Sequence, residues 1–357
     1  MGIQFIAKDK ISKTVKIWLC IGIVLVFVQV VVGGITRLTG SGLSITKWEI
    51  VTGTLPPLNA AQWDSEFDLY KETPQYQKIN EGMSMSQFKF IYFWEYFHRL
   101  WARTMGFVFL FPFLYFLFKG KLSRSVVKDL SVVILLTVFV ASLGWIMVAS
   151  GLINRPWVNA YKLTFHLCSA LTMFSYLLWT TFKVFSPKRS VINNSVLVTG
   201  SRVFLFVLAL QIFLGGIMSG MKAGLFYPTW PDMNGVYLPE ALLTAENWNV
   251  DNFVFYDDNN FMPAFIQFAH RGTAYILIII GLGMFFKLYN SNIPTVYRRN
   301  IYMLITMLVI QAIIGILTVV SCKGSIPVGL GVMHQAGALV LLGITLLLVY
   351  RTPKSSY

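Results

Sequence analysis

Residues 95–99 read EYFHR and residues 267–271 read QFAHR, so one short pattern ending in His-Arg occurs twice. Each copy lies at the start of a long apolar stretch. The 357-residue chain has only four histidines, near the starts of the second, fourth, sixth and eighth apolar stretches: His98, His166, His270 and His334. This spacing predicts two related halves, each with a pair of histidines.

The composition is typical of an integral membrane protein. Hydrophobic residues make up 56% of the chain and charged residues 12%, against roughly 25% charged residues in soluble domains. Apolar stretches of about 20 residues predict transmembrane helices. Eight are predicted, at approximately 17–36, 97–118, 130–152, 163–182, 203–221, 264–286, 300–321 and 327–350. The predicted fold class is therefore an all-α integral membrane protein with eight transmembrane helices.

The net charge of +14 does not indicate a nucleic-acid partner, because the basic residues are concentrated in alternate connections between the spans. On that side the only acidic residues are Asp9 and Asp129. This positive-inside pattern places both termini in the cytoplasm.

The first span has no small-residue cleavage site and no Arg-rich transit peptide precedes it. We therefore expect a retained first span and a multi-pass protein of a bacterial inner membrane.

A fixed offset supports an internal duplication. Seven residues at and after the end of the first span recur 182 positions later, at the end of the fifth: Gln29, Gly33, Gly34, Gly42, Trp48, Gly53 and Pro57. Four spans per half give both halves the same orientation, as in parallel repeats. We predict two pseudo-symmetric four-helix bundles, formed by residues 1–190 and 191–357. The outer segment 38–92 is long enough to be functional, for example as a lid.

The paired histidines favour haem binding. All four lie at the outer ends of even-numbered spans, so each half brings two imidazoles towards one bundle interior, where cofactor sites form. Neutral imidazole is an axial ligand of haem iron. A single histidine near a span end is more often an interfacial side chain. Zinc is a weaker alternative because structural zinc usually has four ligands, and a proton relay does not explain the duplicated pairing.

The two halves differ beside their first histidine. Glu95 precedes His98 by about one helical turn, whereas Gln267 takes that place before His270. A carboxylate in an apolar bundle can serve acid–base chemistry or stabilise a cation. The alternative is an ion pair with Arg99 or Arg103. We therefore expect chemistry in the first half and a resident cofactor in the second.

The arginines that follow these two histidines are candidates for binding haem propionates. Arg99 follows His98 and Arg271 follows His270. Both would lie at the outer face beside a haem ligand. The alternative is that their side chains extend to the membrane interface.

Several motifs together resemble haem A synthases. They are GGITRLTGSGLS at residues 33–44, the proline pair at 56–57, EYFHR at 95–99 and GWIMVASGL at 144–152. The resemblance covers nearly the whole chain. The first outer segment has no cysteine, so the chain is similar to the cysteine-lacking class, typical of proteobacteria and mitochondria.

The resemblance implies a specific reaction and specific roles. The family oxidises the C8 methyl group of haem O to the formyl group of haem A, which terminal oxidases use. By position, His270 and His334 would hold a resident haem b, His98 and His166 would bracket the substrate haem, and Glu95 would be the catalytic carboxylate. Haem O would enter from the lipid bilayer. The implied partners are haem O synthase and a membrane electron acceptor, and a homo-oligomer is compatible with the resemblance.

Two other functions fit the same histidines. One is a di-haem b-type cytochrome that transfers electrons between quinone and a partner without altering either haem. The other is a transporter or haem-chaperone subunit, which would contain no tightly bound haem. A Glu95→Ala variant that keeps its haem spectra but makes no haem A would distinguish the enzyme from the cytochrome. A pyridine haemochrome spectrum of the purified protein would test the transporter or chaperone.

Overall fold

The computed structural model describes residues 5, 11–47, 54–152, 155–186, 192 and 194–353, and its architecture is helical throughout these ranges. It contains ten α-helices within the described residues, which are α1 Lys13–Leu38, α2 Ala60–Lys71, α3 Met85–Phe118, α4 Arg124–Gly151, α5 Ala160–Phe185, α6 Ser195–Gly220, α7 Val250–Val254, α8 Phe261–Tyr289, α9 Thr295–Val320 and α10 Val328–Arg351. Eight of them, all except α2 and α7, are long and apolar enough to cross a membrane. The predicted all-α fold class with eight spans is confirmed.

Several helices begin where a short polar side chain caps the first turn. Ser12, Ser123 and Asn194 accept hydrogen bonds from backbone N–H groups at the starts of α1, α4 and α6. Ser84 and Gln87 form a reciprocal capping box at the start of α3. Such caps satisfy N–H groups that have no partner within the helix.

The α3 helix begins at Met85, twelve residues before the predicted span. His98 therefore lies well inside α3 and not in its first turns. The first turns of α3, before residue 97, are too polar to be recognised as part of an apolar stretch. They are nevertheless helical, because they pack against the outer segment.

The outer segment between α1 and α3 has a hydrophobic core of its own. It contains α2, a π-helical turn at Tyr76–Asn80 and the first turns of α3. The core of this segment consists of the buried residues Ile45, Phe67, Tyr70, Phe88, Ile91 and Tyr92. Tyr70 donates a hydrogen bond to Gln75, and burial raises the pKa of its phenol to about 12. The segment is thus a packed substructure, and its role as a lid stays a prediction.

The chain divides into two compact units, Met1–Leu177 and Leu178–Tyr357. The predicted boundary between residues 190 and 191 lies outside the described residues. In the first unit α1 packs along α3, where the Trp18 indole N–H donates to the carbonyl of Val108 over 3.1 Å. Tyr176 of α5 donates to the Asp129 carboxylate of α4 over 3.2 Å.

The second unit is a closed ring of four long helices. The α8 helix packs against α6 and α9, and α10 packs against the same two helices. Arg202 of α6 donates to the carbonyl of Thr352, just after α10, over 2.8 Å. Gly281 allows α8 to approach Leu308 of α9, because a Cβ atom there would lie 2.8 Å from the leucine Cδ2. The interior of this ring is where α8 and α10 place their histidines.

Candidate functional site

Each of the four histidines packs edge-on against a glycine of a neighbouring helix. A Cβ atom at the glycine would lie 2.8 to 3.1 Å from the imidazole Cε1 atom in the pairs Gly33–His98, Gly144–His166, Gly215–His270 and Gly315–His334. The 2.8 Å distance at Gly315 is too short for a real Cβ atom, and at the other three glycines an added Cβ would require the imidazole to move by a few tenths of an ångström. The same local arrangement occurs four times, once for each even-numbered span.

In the second unit the two histidines face each other. The ring centres of His270 and His334 are 6.4 Å apart, and the ring planes are inclined by 73°. A metal–imidazole bond is about 2 Å long, so two imidazoles bound to one ion from opposite sides have ring centres about 6 Å apart. The observed spacing therefore fits a single iron atom with two histidine ligands.

In the first unit His98 and His166 each lie against a glycine of a neighbouring helix. His98 of α3 packs against α1 and His166 of α5 packs against α4. Both side chains are half-buried. Each unit thus contains two of the four histidines, and two facing rings are seen in the second unit.

Glu95 is buried and fully engaged by polar groups. Its exposed fraction is 2%. One carboxylate oxygen accepts from the Ser44 hydroxyl over 2.8 Å and from the Ile45 backbone N–H over 2.7 Å. The other oxygen pairs with the Arg99 guanidinium over 2.6 Å. The predicted ion pair with Arg99 is present, and the carboxylate also fastens the start of the outer segment to α3.

Gln267 occupies the equivalent position in the second unit and makes a related contact. Its exposed fraction is 0%, and its amide nitrogen donates to the carbonyl of Tyr227 over 2.7 Å. Tyr227 follows Ile45 by the repeat offset of 182 residues. The two side chains thus bind the same backbone position, one as an acceptor and the other as a donor.

The two candidate propionate-binding arginines bind backbone carbonyls in matched positions. Arg99 donates to Ile45 and Lys47, each over 3.1 Å. Arg271 donates to the equivalent carbonyls of Tyr227 over 3.1 Å and of Thr229 over 2.7 Å. Both arginines therefore anchor the outer segment that follows the preceding span. A guanidinium has five N–H donors, so a further contact with a propionate stays a prediction.

A tight turn follows this anchor in the second unit. The Asp232 carboxylate accepts from the Thr229 hydroxyl over 2.6 Å and from the Gly235 backbone N–H over 3.2 Å. The Asp232 carbonyl accepts from Arg271 over 2.6 Å. The Thr229 hydroxyl, the Gly235 N–H and the Arg271 charge lower the pKa of the Asp232 carboxyl.

Three glutamines complete the histidine sites. Gln29 lies 3.3 Å from His98, Gln211 lies 3.2 Å from His270, and Gln311 lies 3.1 Å from His334, measured from the amide nitrogen to a ring nitrogen. The amide oxygen of each glutamine is buried and has no hydrogen-bond partner among the described residues.

The Gln211 amide oxygen suits an iron-bound imidazole. When iron takes one ring nitrogen, the other carries a proton and needs an acceptor. A half-turn of the Gln211 amide presents its oxygen to the His270 ring, whereas the amide nitrogens of Gln29 and Gln311 already donate to the carbonyls of His98 and His334. The residues present therefore fit haem ligation.

Sequence reasoning missed the role of these glutamines. Gln29 and Gln211 appear in the repeat, but no function was inferred for them, and Gln311 was not recognised. The signal is Gln-x-x-x-Gly on the helix that packs against each histidine, at residues 29–33, 211–215 and 311–315. In a helix this spacing places the amide about one turn from the glycine that receives the imidazole.

The chain matches the family model described as COX15-CtaA, cytochrome oxidase assembly protein, over residues 16–346. The chain belongs to this family. It is 39% identical to the heme A synthase of Flavobacterium johnsoniae, over 97% of this chain and 99% of that protein. It is 40% identical to that of Flavobacterium psychrophilum, over 97% and 100%, and 40% identical to that of Nitrosospira multiformis, over 94% and 92%. The family predicted by the motifs is confirmed.

Proposed function

We infer that this chain is a haem A synthase, an integral membrane oxidoreductase that converts haem O to haem A. The observation that carries this conclusion is nearly full-length similarity to proteins named heme A synthase. It agrees with four histidines that are paired in the way haem ligands require.

We further propose distinct roles for the two histidine pairs. His270 and His334 hold a resident haem b, and their 6.4 Å ring spacing supports this role. A haem b at this site supplies one-electron transfer. His98 and His166 bracket the substrate haem O. The carboxylate of Glu95, absent from the second half, supports placing the chemistry in the first half.

Glu95 is the proposed catalytic carboxylate. Oxidation of the C8 methyl group to a formyl group removes hydride equivalents or electrons from that carbon, so positive charge develops there. A fixed anion one turn from His98 stabilises this charge or orients the water that attacks the carbon. Its hydrogen bonds with Ser44 and Ile45 hold the carboxylate in one orientation before the reaction.

The proposed cellular setting follows from the charge distribution and the substrate. The basic connections place both termini in the cytoplasm of a bacterial cell with the protein in its inner membrane. The apolar farnesyl tail of haem O favours lateral entry from the bilayer. Haem O synthase and a membrane electron acceptor are the proposed partners, and assignment to the cysteine-lacking class rests on the cysteine-free segment 38–92.

The test is haem extraction and chromatography from cells that supply haem O and express this chain. We expect haem A with the wild-type chain. Glu95→Gln removes the charge while its remaining oxygen still accepts from Ser44 and Ile45. We therefore expect Glu95→Gln to retain its bound-haem spectrum and to lose at least about 100-fold of its haem A formation.

The matched control is Glu81→Gln, the same chemical change at an exposed carboxylate of the outer segment. Its haem A formation should equal that of the wild type. Unchanged haem A formation in Glu95→Gln would refute the catalytic role. Bound haem without haem A in the wild type would indicate the di-haem cytochrome, and protein without bound haem would indicate the transporter or chaperone.

A further inference from the structure

The four histidine sites are built on one pattern with one exception. The helix that packs against each histidine carries a glycine, and at three of the sites the residue four positions before that glycine contacts the imidazole. At three sites this residue is glutamine, and at the fourth it is Val140. The exception belongs to His166 alone.

Two of the three glutamines contact both the ring and the backbone of their histidine. The Gln311 amide nitrogen lies 3.1 Å from His334 Nδ1 and donates to the His334 carbonyl over 2.7 Å. The Gln29 amide nitrogen lies 3.3 Å from His98 Nδ1 and donates to the His98 carbonyl over 3.3 Å. The amide therefore links the ring to its own backbone and restricts rotation of the imidazole.

Val140 cannot replace this contact, because its side chain has no polar atom. The backbone carbonyl of Val140 lies beside the His166 ring, as the carbonyls of Gln211 and Gln311 lie beside theirs. The His166 site therefore lacks only the side-chain amide. Within the described part of the chain, His166 is the one histidine that has no glutamine beside its ring.

We propose that the three glutamines are positioning residues for their imidazoles, and that Val140 makes His166 the replaceable axial ligand of the substrate haem. An imidazole that a neighbouring side chain holds in one orientation is a better oriented and therefore stronger metal ligand. His166 lacks that support from a side chain. His98, held by Gln29, is then the stronger ligand of the first half.

This asymmetry suits the different demands on the two halves. A substrate haem must bind and the product haem must leave in every catalytic cycle, so one weak ligand speeds exchange. A resident haem stays bound, and the second half has a glutamine at both of its histidines. The inference rests on the proposed function for the identity of the substrate site, and the glutamine pattern is independent of Glu95.

The test is carbon monoxide binding to purified, dithionite-reduced protein in which haem b fills both sites. Carbon monoxide must displace a histidine, so the weaker ligand determines its affinity. We expect roughly half of the haem in the wild type to bind carbon monoxide readily. Val140→Gln should lower the carbon monoxide affinity of that fraction by about 10-fold, the lower end of the effect that such supporting contacts have.

Val140→Leu is the matched control, because it enlarges the side chain without adding an amide. Its carbon monoxide affinity should equal that of the wild type. Gln311→Val reproduces the Val140 arrangement in the second half and should make the second haem reactive as well. Equal effects of Val140→Gln and Val140→Leu would overturn the proposal, as would an unreactive second haem in Gln311→Val.

The haem content of every variant is measured first, so that a folding defect is not taken for a change in ligand strength. Formation of haem A is assayed separately. Wild-type protein that makes no haem A but shows the expected carbon monoxide pattern would defeat the proposed function and leave the ligand asymmetry standing. If the wild type forms haem A but Val140→Gln does not change carbon monoxide affinity, the proposed function stands and the ligand asymmetry is overturned.

Discussion

Gly315 shows how a single missing side chain places a candidate haem ligand. A Cβ atom at this position would lie 2.8 Å from His334 Cε1, the closest of the four glycine–histidine contacts. Gly315→Ala should therefore displace the His334 imidazole and disturb the 6.4 Å ring spacing. We expect loss of roughly half of the bound haem, measured as a pyridine haemochrome per chain.

Gly283→Ala provides the control for this change. Gly283 also lies in a long helix, α8, but a Cβ atom there would meet no other atom within 4 Å. Because alanine favours the helix more than glycine does, Gly283→Ala should keep all of its haem and unfold at the same or a slightly higher temperature. Full haem content in Gly315→Ala would show that the close glycine contact does not position His334.

At Glu95 the sequence predicted two alternatives; the structure contains the ion pair, and the catalytic role stays a prediction. The ion pair with Arg99 is present, yet the second carboxylate oxygen is directed to Ser44 and Ile45. Sequence spacing indicated the Arg99 pair, because residues four apart share a helix face. It could not indicate the contacts with Ser44 and Ile45, which are made across about 50 residues of chain and depend on how the outer segment folds back.

At the scale of helices and loops, hydropathy found all eight spans but placed the start of α3 twelve residues too late, and the starts of α6 and α4 eight and six residues too late. An apolar window detects the part of a helix that suits lipid. It does not detect the polar turns of α3 from Met85 onwards, which pack on the outer segment. The capping box at Ser84 and Gln87 was readable in the sequence as the start of this helix.

The turn after α6 gives a prediction of pH dependence. The pKa of Asp232 is lowered by the Thr229 hydroxyl, the Gly235 N–H and the Arg271 charge. A carboxyl whose pKa is lowered in the folded state stabilises that state above its ordinary pKa of 3.8. This contribution is lost as the pH falls through the lowered value. Asp232→Asn should therefore make the turn as labile at neutral pH as the wild-type turn is in acid.

Amide hydrogen exchange of residues 226–236, followed from neutral pH to below pH 3, measures this effect. Exchange must be corrected for its intrinsic dependence on pH. The control is Asp258→Asn, at an exposed carboxylate of the same outer connection. If protection of the turn in Asp232→Asn still fell with the wild-type pH profile, another group would be responsible for the acid sensitivity.

At the scale of the whole chain, the duplication and the Glu95–Gln267 difference were predictable, and the significance of Val140 was not. The offset of 182 residues appears in identical glycines, and it holds in space, because Arg99 and Arg271 bind backbone carbonyls related by the same offset. The difference between Val140 and Gln311 carries no such signal. A valine in an apolar helix does not by itself indicate a role. The role of Val140 was inferred only because the structure shows a glutamine beside each of the other three histidines.

The proposed division of labour between the halves leads to a prediction for paired variants. Replacing His270 and His334 with alanine removes both candidate haem ligands of the second unit, whose four-helix ring is otherwise closed by contacts remote from them, such as Arg202 with Thr352. We expect this variant to lose its tightly bound haem b, and with it haem A formation. Replacing His98 and His166 with alanine should leave the haem b of the second half in place and abolish haem A formation.

Both double variants should lose haem A formation, but only the His270 and His334 variant should lose its tightly bound haem. The difference in haem content therefore shows which pair of histidines holds the resident cofactor. Purification from cells that make haem b but no haem O leaves the cofactor as the tightly held haem. The optical spectrum of the His98 and His166 variant should then retain bis-histidine bands, because both glutamine-supported ligands of the second half remain. Bands that survived in the His270 and His334 variant alone would reverse the assignment and place the resident haem beside Glu95.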